Sequence, residues 1–266
     1  MKAHDFSYDG VRLSDLGYMI CRFGDGGIDT IQNGSEISFN TVPSKNGQQH
    51  YLTSSVYEDC ITTTIQICKN QCDFGTMEIS VAEQREIMRW LNSRTFKKLR
   101  FIDTDGELAR IYYNASFNVS RVDIDGRTVG FELEVYTDRP YALQEPVSIK
   151  IENDDPGEVL SYYSESDEEG FLYPEMKMKI KGDGDLTVHS ITENRDMVIR
   201  GCKTDEVITV SYPIISSSIE EHEVMNDFNW VFYRVSNTFR NSKNEFTATL
   251  PCSIEITYSP VVKIGM

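Results

Sequence analysis

The sequence predicts a mainly β protein of two domains, an α+β first domain followed by an all-β second domain. Three observations carry this prediction. Apolar and polar residues alternate with a period of two in many segments, which is typical of half-buried antiparallel strands. A helical period is convincing in one segment. Charge and proline content change near residue 140, which indicates a boundary between domains.

The strands are predicted from this alternation and from the turn residues between them. It is clearest in segments 129–135, 176–180 and 254–258. Further strands are predicted at 61–69, 109–119, 186–191, 206–212 and 228–235. Asp105-Gly106 and Asp125-Gly126 are candidates for type I′ hairpins, because both central residues tolerate positive φ. Asn33-Gly34 and Asn46-Gly47 predict further turns.

One helix is predicted just after residue 80. Ser80 and Glu83 have the spacing of a capping box. An apolar stripe at helical spacing follows, formed by Ile87, Met88, Trp90 and Leu91. The cations Arg94, Lys97 and Lys98 lie near its expected end, where they suit the helix dipole. On such a helix Trp90 is expected to be a core residue rather than a ligand-stacking group.

The domains are predicted at 1–143 and 144–266. Residues 141–266 carry 11 basic and 22 acidic groups, and the segment around 140–150 contains Pro140 and Pro146. From Glu152 to Glu169 there are eight acidic residues and no basic one. This acidic stretch is predicted to be a solvated loop. A calcium site is the alternative, although the ligand spacing of a known calcium loop is missing.

Composition excludes several classes of function. The formal net charge of -16 disfavours sequence-specific DNA binding and binding to anionic membranes. An acidic wall is still compatible with DNA that passes close by. No apolar run is long enough to span a membrane, and the first residues lack a signal-peptide core, so synthesis in the cytosol without export is expected.

No catalytic, cofactor-binding or metal-binding residues are predicted. The sequence contains no nucleophile elbow, Walker loop or zinc-protease motif. Asp103 to Gly106 resembles the start of a calcium loop, but Asn114 stands where its glutamate should be. The scattered histidines are His4, His50, His189 and His222, and the cysteines, expected to be reduced and small core residues, are Cys21, Cys60, Cys68, Cys72, Cys202 and Cys252. A metal held by Cys60, Cys68 and Cys72 is the alternative, though their spacing does not suit zinc.

Aromatic residues crowd two segments, Tyr112 to Phe117 and Phe228 to Tyr233. Core and interface packing is the favoured interpretation of both. Platforms on which sugars stack are the alternative, and for the second segment Trp230 would be the key residue.

The first half resembles the siphophage distal tail proteins. These chains begin with an F-x-x-x-G strand followed by an S-x-x-L/F-G strand, as Phe6–Gly10 and Ser14–Gly17 do here. The capped helix that runs into Leu99–Asp103, and the exit strand closing at Asp138–Tyr141, fit the first domain of that family.

The second half is similar to the galectin-like β-sandwich that ends distal tail proteins. The matching segments follow in order: Tyr173-Pro174, Gly182 to Val188, Asp205 to Val210, Asn244 to Phe246 and the strand Cys252 to Ser259. Two departures are Val210–Pro213, where the family often has a short aspartate-containing strand, and the acidic stretch.

The resemblance implies a structural, non-enzymatic protein of the virion tail tip, assembled in the host cytoplasm. In that family, hexameric rings continue the tail tube with a barrel-like or sandwich-like first domain carrying one helix. The implied partners are further copies of the chain, possibly as stacked rings, the tail tube protein, a tail-associated lysin or fibre protein and receptor-binding proteins. Double-stranded DNA only passes through the lumen, and no membrane or cofactor is implied. Two alternatives remain open: a carbohydrate-binding module contacting the host cell wall, and a cell-wall glycosidase or peptidase.

Overall fold

The computed structural model describes residues 3–24, 34–70, 76–168 and 172–265. The chain divides into two compact units. One comprises the chain up to Leu143 together with the residues from Lys263 onward, and the other is Gln144–Val262. The domains expected at 1–143 and 144–266 stay a prediction.

Strands dominate both units, which confirms the mainly β prediction. The strands of the first unit are β1 Ala3–Tyr8, β2 Val11–Arg12, β3 Tyr18–Cys21, β4 Ile37–Pro43, β5 His50–Tyr57, β6 Thr62–Lys69, β7 Lys97–Asp103, β8 Ile111–Ile124 and β9 Arg127–Thr137. The strand β10 Ala142–Gln144 spans the division, and those that follow are β11 Val147–Asn153, β12 Leu160–Tyr163, β13 Glu175–Ile180, β14 Gly184–Ser190, β15 Arg195–Cys202, β16 Val207–Ser211, β17 Ile214–Ser217, β18 Lys243–Ala248, β19 Cys252–Tyr258 and β20 Val261–Val262. The helices among the described residues are a 3-10 turn at Ser14–Leu16, α1 Val81–Leu91 and α2 Val224–Asp227.

The first unit is built on a curved antiparallel sheet with the strand order β2-β1-β7-β8-β9-β6-β3. Helix α1 packs against this sheet through Ile87 and Leu91, which are buried. Trp90 is half-buried, stacks on Phe6 at 5.8 Å and donates its indole N–H to the carbonyl of Tyr8. Trp90 is therefore a packing residue, but it is only partly buried and not the core residue that the sequence predicts.

The predicted capping box begins α1. The hydroxyl of Ser80 accepts the backbone N–H of Glu83, and the Glu83 carboxylate accepts the backbone N–H of Ser80. The helix ends at Leu91, before Arg94, while Lys97 and Lys98 already lie in β7. Because the helix ends a turn earlier than those cations, Arg89 is the basic residue in its last turn.

The two Asp-Gly hairpin predictions have opposite outcomes. Asp125 and Gly126 have φ of 50° and 76° and join Ile124 to Arg127, which confirms a two-residue hairpin between β8 and β9. Asp105-Gly106 lies instead in a longer loop between β7 and β8. There the Asp103 carboxylate accepts the backbone N–H groups of Glu107 and Leu108, so a side chain organises this turn.

The second unit is a sandwich of two antiparallel sheets. One has the order β11-β19-β13-β16-β17, and the other has the order β12-β18-β14-β15. The alternating residues of β13 and β19 face those of β14 and β18 in one apolar core, whose fully buried members include Met176, Met178, Leu186, Val188, Phe246 and Ile256. The predicted strands at 176–180, 186–191, 206–212 and 254–258 are thus confirmed within a residue or two.

The predicted strand at 228–235 is wrong. Within it the structure has isolated bridges at Phe228 and Val235 and no continuous strand. The Asn229 side chain is the reason, because its Oδ1 accepts the backbone N–H of Val198 at 3.1 Å and takes the place of a ladder partner. Trp230 then adopts a φ of 60°, which a strand does not permit.

The acidic stretch is also not wholly a solvated loop, because it contains the strand β12. Leu160 and Tyr162 face the core, and β12 pairs with β18 along its length. Asp154, Asp155 and Glu158 are exposed as predicted. Glu169 of this stretch and Asn33 of the predicted Asn33-Gly34 turn lie outside the described residues.

Candidate assembly surface

The strands β4 and β5 form a two-stranded ribbon that pairs with no other strand of the described chain. Its turn contains Asn46 and Gly47, as the sequence predicts, with Gly47 at a φ of 65°. The backbone N–H of Ser44 closes the turn on the carbonyl of Gln49 at 2.6 Å. Two strands alone are marginally stable in water, so a ribbon of this length calls for packing from another surface.

The ribbon is exposed on both faces. The pairing of Ile37 with Tyr57 and of Thr41 with Leu52 places Ile37, Phe39 and Leu52 on one face. Phe39 is 62% exposed and Leu52 is 58% exposed. The other face carries Val42, Tyr51 and Val56, each more than half exposed. We refer to the surface formed by these six residues as the apolar ribbon.

The apolar ribbon also lacks the charges that protect free strand edges. Between Ile37 and Tyr57 the sequence has one lysine, Lys45 in the turn, and no acidic residue. Natural proteins guard exposed edges with charges, prolines or bulges. In this ribbon the features that hinder edge pairing are Pro43 and the irregular register between Asn40 and Thr41. A nearly uncharged apolar edge in so acidic a chain is typical of a surface that becomes covered on assembly.

The base of the ribbon is closed by hydrogen bonds between the residues that flank its two strands. The backbone N–H of Glu58 donates to the carbonyl of Glu36 at 2.9 Å, and the Ser35 hydroxyl donates to the carbonyl of Asp59. Tyr57 meets Tyr141 edge to face at 6.1 Å. The two strands are therefore joined at their base, Tyr57 contacts Tyr141 of the first unit, and the length of the ribbon is exposed.

The strands of the ribbon were missed by the sequence predictions, which noted only the turn at Asn46-Gly47. A usable signal was present, because Ile37 and Phe39 alternate with Ser38 and Asn40 before an Asn-Gly turn. The signal is weak since a ribbon exposed on both faces has no single apolar side.

The candidate metal ligands do not form a site in the described chain. Cys60 is exposed in a loop, Cys68 is buried in β6, and Cys72 lies outside the described residues. Among residues 3–24, 34–70, 76–168 and 172–265, no cluster of three or more His, Cys, Asp or Glu residues could hold a metal ion. Burial raises the pKa of the Cys202 and Cys252 thiols to about 11, as expected for unreactive core cysteines.

The histidines are also spread through the fold. His189 pairs with Asp196 on the exposed face of β14 and β15 at 2.6 Å, and His50 lies on the ribbon. His222 is different, because its Nδ1 contacts the buried Glu206 carboxylate at 2.6 Å and its Nε2 faces the carbonyl of Arg200 at 2.9 Å. The sequence offered no sign of this pair.

The two aromatic segments differ in their burial. Tyr112, Tyr113 and Phe117 are all buried, in agreement with the core interpretation. Of the second segment, Phe228, Phe232 and Tyr233 are buried, whereas Trp230 is 54% exposed. Trp230 is therefore not a core residue, and interface packing stays a prediction for it.

No helix in the described part of the chain has the length and apolar character needed to cross a membrane. The longest one, α1, has 11 residues and a polar outer face.

Comparison with known proteins points to one class. A family model described as a phage tail protein N-terminal domain matches residues 1–139, and one described as a phage tail C-terminal domain matches residues 141–258. The crystal structure of SPP1 Dit is similar at a TM-score of 0.61, with 11% identity over 97% of this chain and 99% of that chain. That protein is described as a paradigm of the hub adsorption apparatus in phages that infect Gram-positive bacteria. At this identity the likeness shows a shared fold. No curated protein matches the chain.

Proposed function

The chain belongs to the phage tail protein family whose N- and C-terminal domain models together span it, and on that premise we propose that it is a distal tail protein which forms the hub ring of the tail tip. The ring is hexameric and joins the tail tube to the tail-associated lysin or fibre protein below and to receptor-binding proteins at its side. The protein assembles in the host cytoplasm and acts as a structural component without enzymatic activity.

The apolar ribbon is the observation that carries this proposal. Phe39 and Leu52 extend one apolar face, Tyr51 and Val56 extend the other, and the described chain offers no second strand pair to cover them. A second copy of the chain supplies such a cover without any new partner. In a ring each copy gives its ribbon to one neighbour and receives a ribbon from the other, so the contact is head to tail and closes on itself.

The charge of the chain agrees with a conduit for DNA. With a formal net charge of -16, the chain has little capacity to replace the counterions of a phosphate backbone. Duplex DNA can therefore pass through the lumen without being held there.

The second unit supports the same assignment through its fold. Its two-sheet sandwich is compatible with a galectin-like domain, and the shared fold with SPP1 Dit extends over nearly the whole chain. A sandwich on its own implies no sugar or catalytic chemistry, because folds host unrelated functions.

Light scattering coupled to size exclusion, followed by negative-stain imaging, tests the proposal on the full chain. The wild-type protein is expected to elute at six times the 30.4 kDa chain mass, or at a multiple of that mass for stacked rings, and to show a central hole. The double variant Phe39→Ser, Leu52→Ser removes apolar area from one face of the ribbon and is expected to remain monomeric and folded.

Phe239→Ser is the matched control. Phe239 is 98% exposed in the second unit, so its replacement removes a comparable ring from a surface outside the ribbon. This variant is expected to form rings like the wild type. A wild-type chain that stays monomeric at every concentration and with tail-tube protein, or rings that persist in the double variant, would contradict the proposal.

A further inference from the structure

Trp230 adopts a backbone conformation that bulky residues avoid. Its φ is 60°, in the left-handed region, and its side chain is 54% exposed. A tryptophan there raises the free energy of the fold, and such outliers concentrate at functional positions. Since the indole is half in solvent, its own burial does not explain the conformation.

The neighbouring Asn229 imposes this conformation. Its backbone N–H donates to the carbonyl of Val198 at 3.1 Å, and its Oδ1 accepts the N–H of Val198 at 3.1 Å. Its Nδ2 donates to the carbonyl of Asp196 at 2.9 Å. These three bonds tie the chain to β15 immediately before Trp230, so the indole is presented outward from a fixed point.

A second exposed ring belongs to the same aromatic group. Tyr212 is 56% exposed and stacks on Tyr173, with ring centroids 4.3 Å apart and planes 13° apart. The buried ring of Phe232 lies 5.1 Å from Tyr212 and 6.3 Å from Trp230. Both exposed rings therefore rest on one buried ring, and little side-chain entropy is lost when a ligand covers them.

The size of this surface favours a small occupant. Two half-exposed rings offer on the order of 200 Å² of aromatic surface. A stable protein interface needs about 800 Å² from each partner. One or two sugar rings match the smaller area, and their apolar C–H faces stack on aromatic rings.

The charge of the surroundings favours a neutral occupant. Residues 141–266 carry 11 basic and 22 acidic groups, so an anionic polymer is repelled. Exposed carboxylates also lie on neighbouring residues: Asp227 comes three residues before Trp230, and the backbone carbonyl of Asp196 accepts a hydrogen bond from Asn229. Carboxylates accept hydrogen bonds from hydroxyl groups, which a saccharide supplies in number.

We propose that Trp230 and Tyr212 form a stacking platform for a neutral saccharide on the second unit. This platform lies outside the apolar ribbon and does not depend on ring formation, so either proposal can fail without the other. A tail-tip protein with such a platform would contact neutral glycans of the host surface directly.

The test uses the full chain and an array of neutral oligosaccharides built from glucose, galactose, rhamnose and N-acetylhexosamines. Any binder found is then titrated while tryptophan fluorescence is followed. The protein has two tryptophans, Trp90 and Trp230, so the difference between the wild type and Trp230→Asn isolates the Trp230 signal. At least one glycan is expected to bind saturably and to shift that signal.

The variants separate recognition from folding. Trp230→Asn is chosen because asparagine tolerates positive φ, so this variant is expected to fold. It and Tyr212→Ala should each weaken binding by about tenfold or more, the scale of one lost stacking contact. Phe239→Ala, which removes an exposed ring elsewhere, should leave binding unchanged.

Three results would overturn the proposal. The first is that no glycan of the array binds, and the second is that a glycan binds equally well to Trp230→Asn. The third is that the Trp230 signal in the wild-type protein resists a soluble quencher such as acrylamide, which would show that a second copy of the chain covers the platform.

Discussion

Glu206 is a fully buried carboxylate whose partners come from three parts of the second unit. Its Oε1 accepts the Ser217 hydroxyl at 2.5 Å and contacts His222 Nδ1 at 2.6 Å, while its Oε2 accepts the backbone N–H of Lys203 at 2.8 Å. Burial alone pushes the pKa of Glu206 upward, but the hydrogen bonds from Ser217 and His222 outweigh it and leave the pKa lowered. Through its contact with His222, Glu206 thus links the segment before α2 to the start of β16.

Replacing Glu206 is expected to be costly and to change the pH dependence of stability. Because the folded pKa lies below the unfolded one, Glu206 contributes stability above the unfolded value and loses it as pH falls through the folded value. Glu206→Gln should lower the free energy of unfolding at pH 7 by about 2–3 kcal/mol. As the pH falls below about 4.5, its stability should fall less steeply than that of the wild type. Urea unfolding at several pH values measures both effects.

The exposed pair His189–Asp196 supplies the control, since its N–O distance is also 2.6 Å but Asp196 is 59% exposed. Asp196→Asn should change the free energy of unfolding by less than about 1 kcal/mol. An equal loss in both variants would show that burial is not what makes Glu206 important.

The structural role of a residue could be predicted from the sequence where it depends on neighbours in the chain. It could not be predicted where it depends on tertiary contacts. Ser80 and Glu83 cap α1 because their spacing alone brings the two groups together. Trp230 was assigned to the core because it lies among alternating aromatics, yet its position is set by Asn229 bonding to the distant Val198. Glu206 and His222 are likewise 16 residues apart and meet only in the fold.

At the scale of elements, the strands with one buried face were predictable, whereas the ribbon was not. β13 and β19 alternate strictly because one side meets the core. β4 and β5 have no buried side within the chain, so their pattern lacks that contrast. The hairpin predicted at Asp105-Gly106 was wrong for a similar reason. The Asp103 side chain binds the backbone of the following residues and stabilises a longer loop, although the Asp-Gly dipeptide by itself favours a hairpin.

The capping box of α1 is expected to contribute to the stability of the first unit. Ser80→Ala leaves the backbone N–H of Glu83 without its acceptor and frees the Glu83 carboxylate from the Ser80 hydroxyl. The free energy of unfolding of the first unit should fall by about 1 kcal/mol. Urea unfolding followed by far-ultraviolet circular dichroism measures the change.

Val81→Ala is the matched control for the cap, since Val81 is the next residue, lies in the first turn and is 80% exposed. It should be neutral or slightly stabilising, because alanine has the higher helix propensity. A loss as large as that of Ser80→Ala would assign the effect to the position rather than to the cap.

At the scale of the whole molecule, charge and proline content indicate a boundary around residues 140–150, and the domains are predicted at 1–143 and 144–266. The two units of the structure divide at the same residues, although the chain from Lys263 onward groups with the first unit. The proposed ring would be a property of several copies, so a single sequence would indicate it only indirectly, through surfaces such as the apolar ribbon that one copy leaves uncovered.

The second unit has the core that it needs to fold alone. Among the described residues, every buried member of its apolar cluster lies between Leu160 and Tyr258, within the second unit. Both of its sheets are likewise complete within residues 147–258. A fragment of residues 144–262 is therefore expected to fold alone and to unfold in one cooperative transition in urea. It should remain monomeric because it lacks the ribbon, and it should keep the Trp230 platform and bind the same glycans as the full chain. A fragment that binds a hydrophobic dye and melts without cooperativity would show that the sandwich depends on the first unit for its stability.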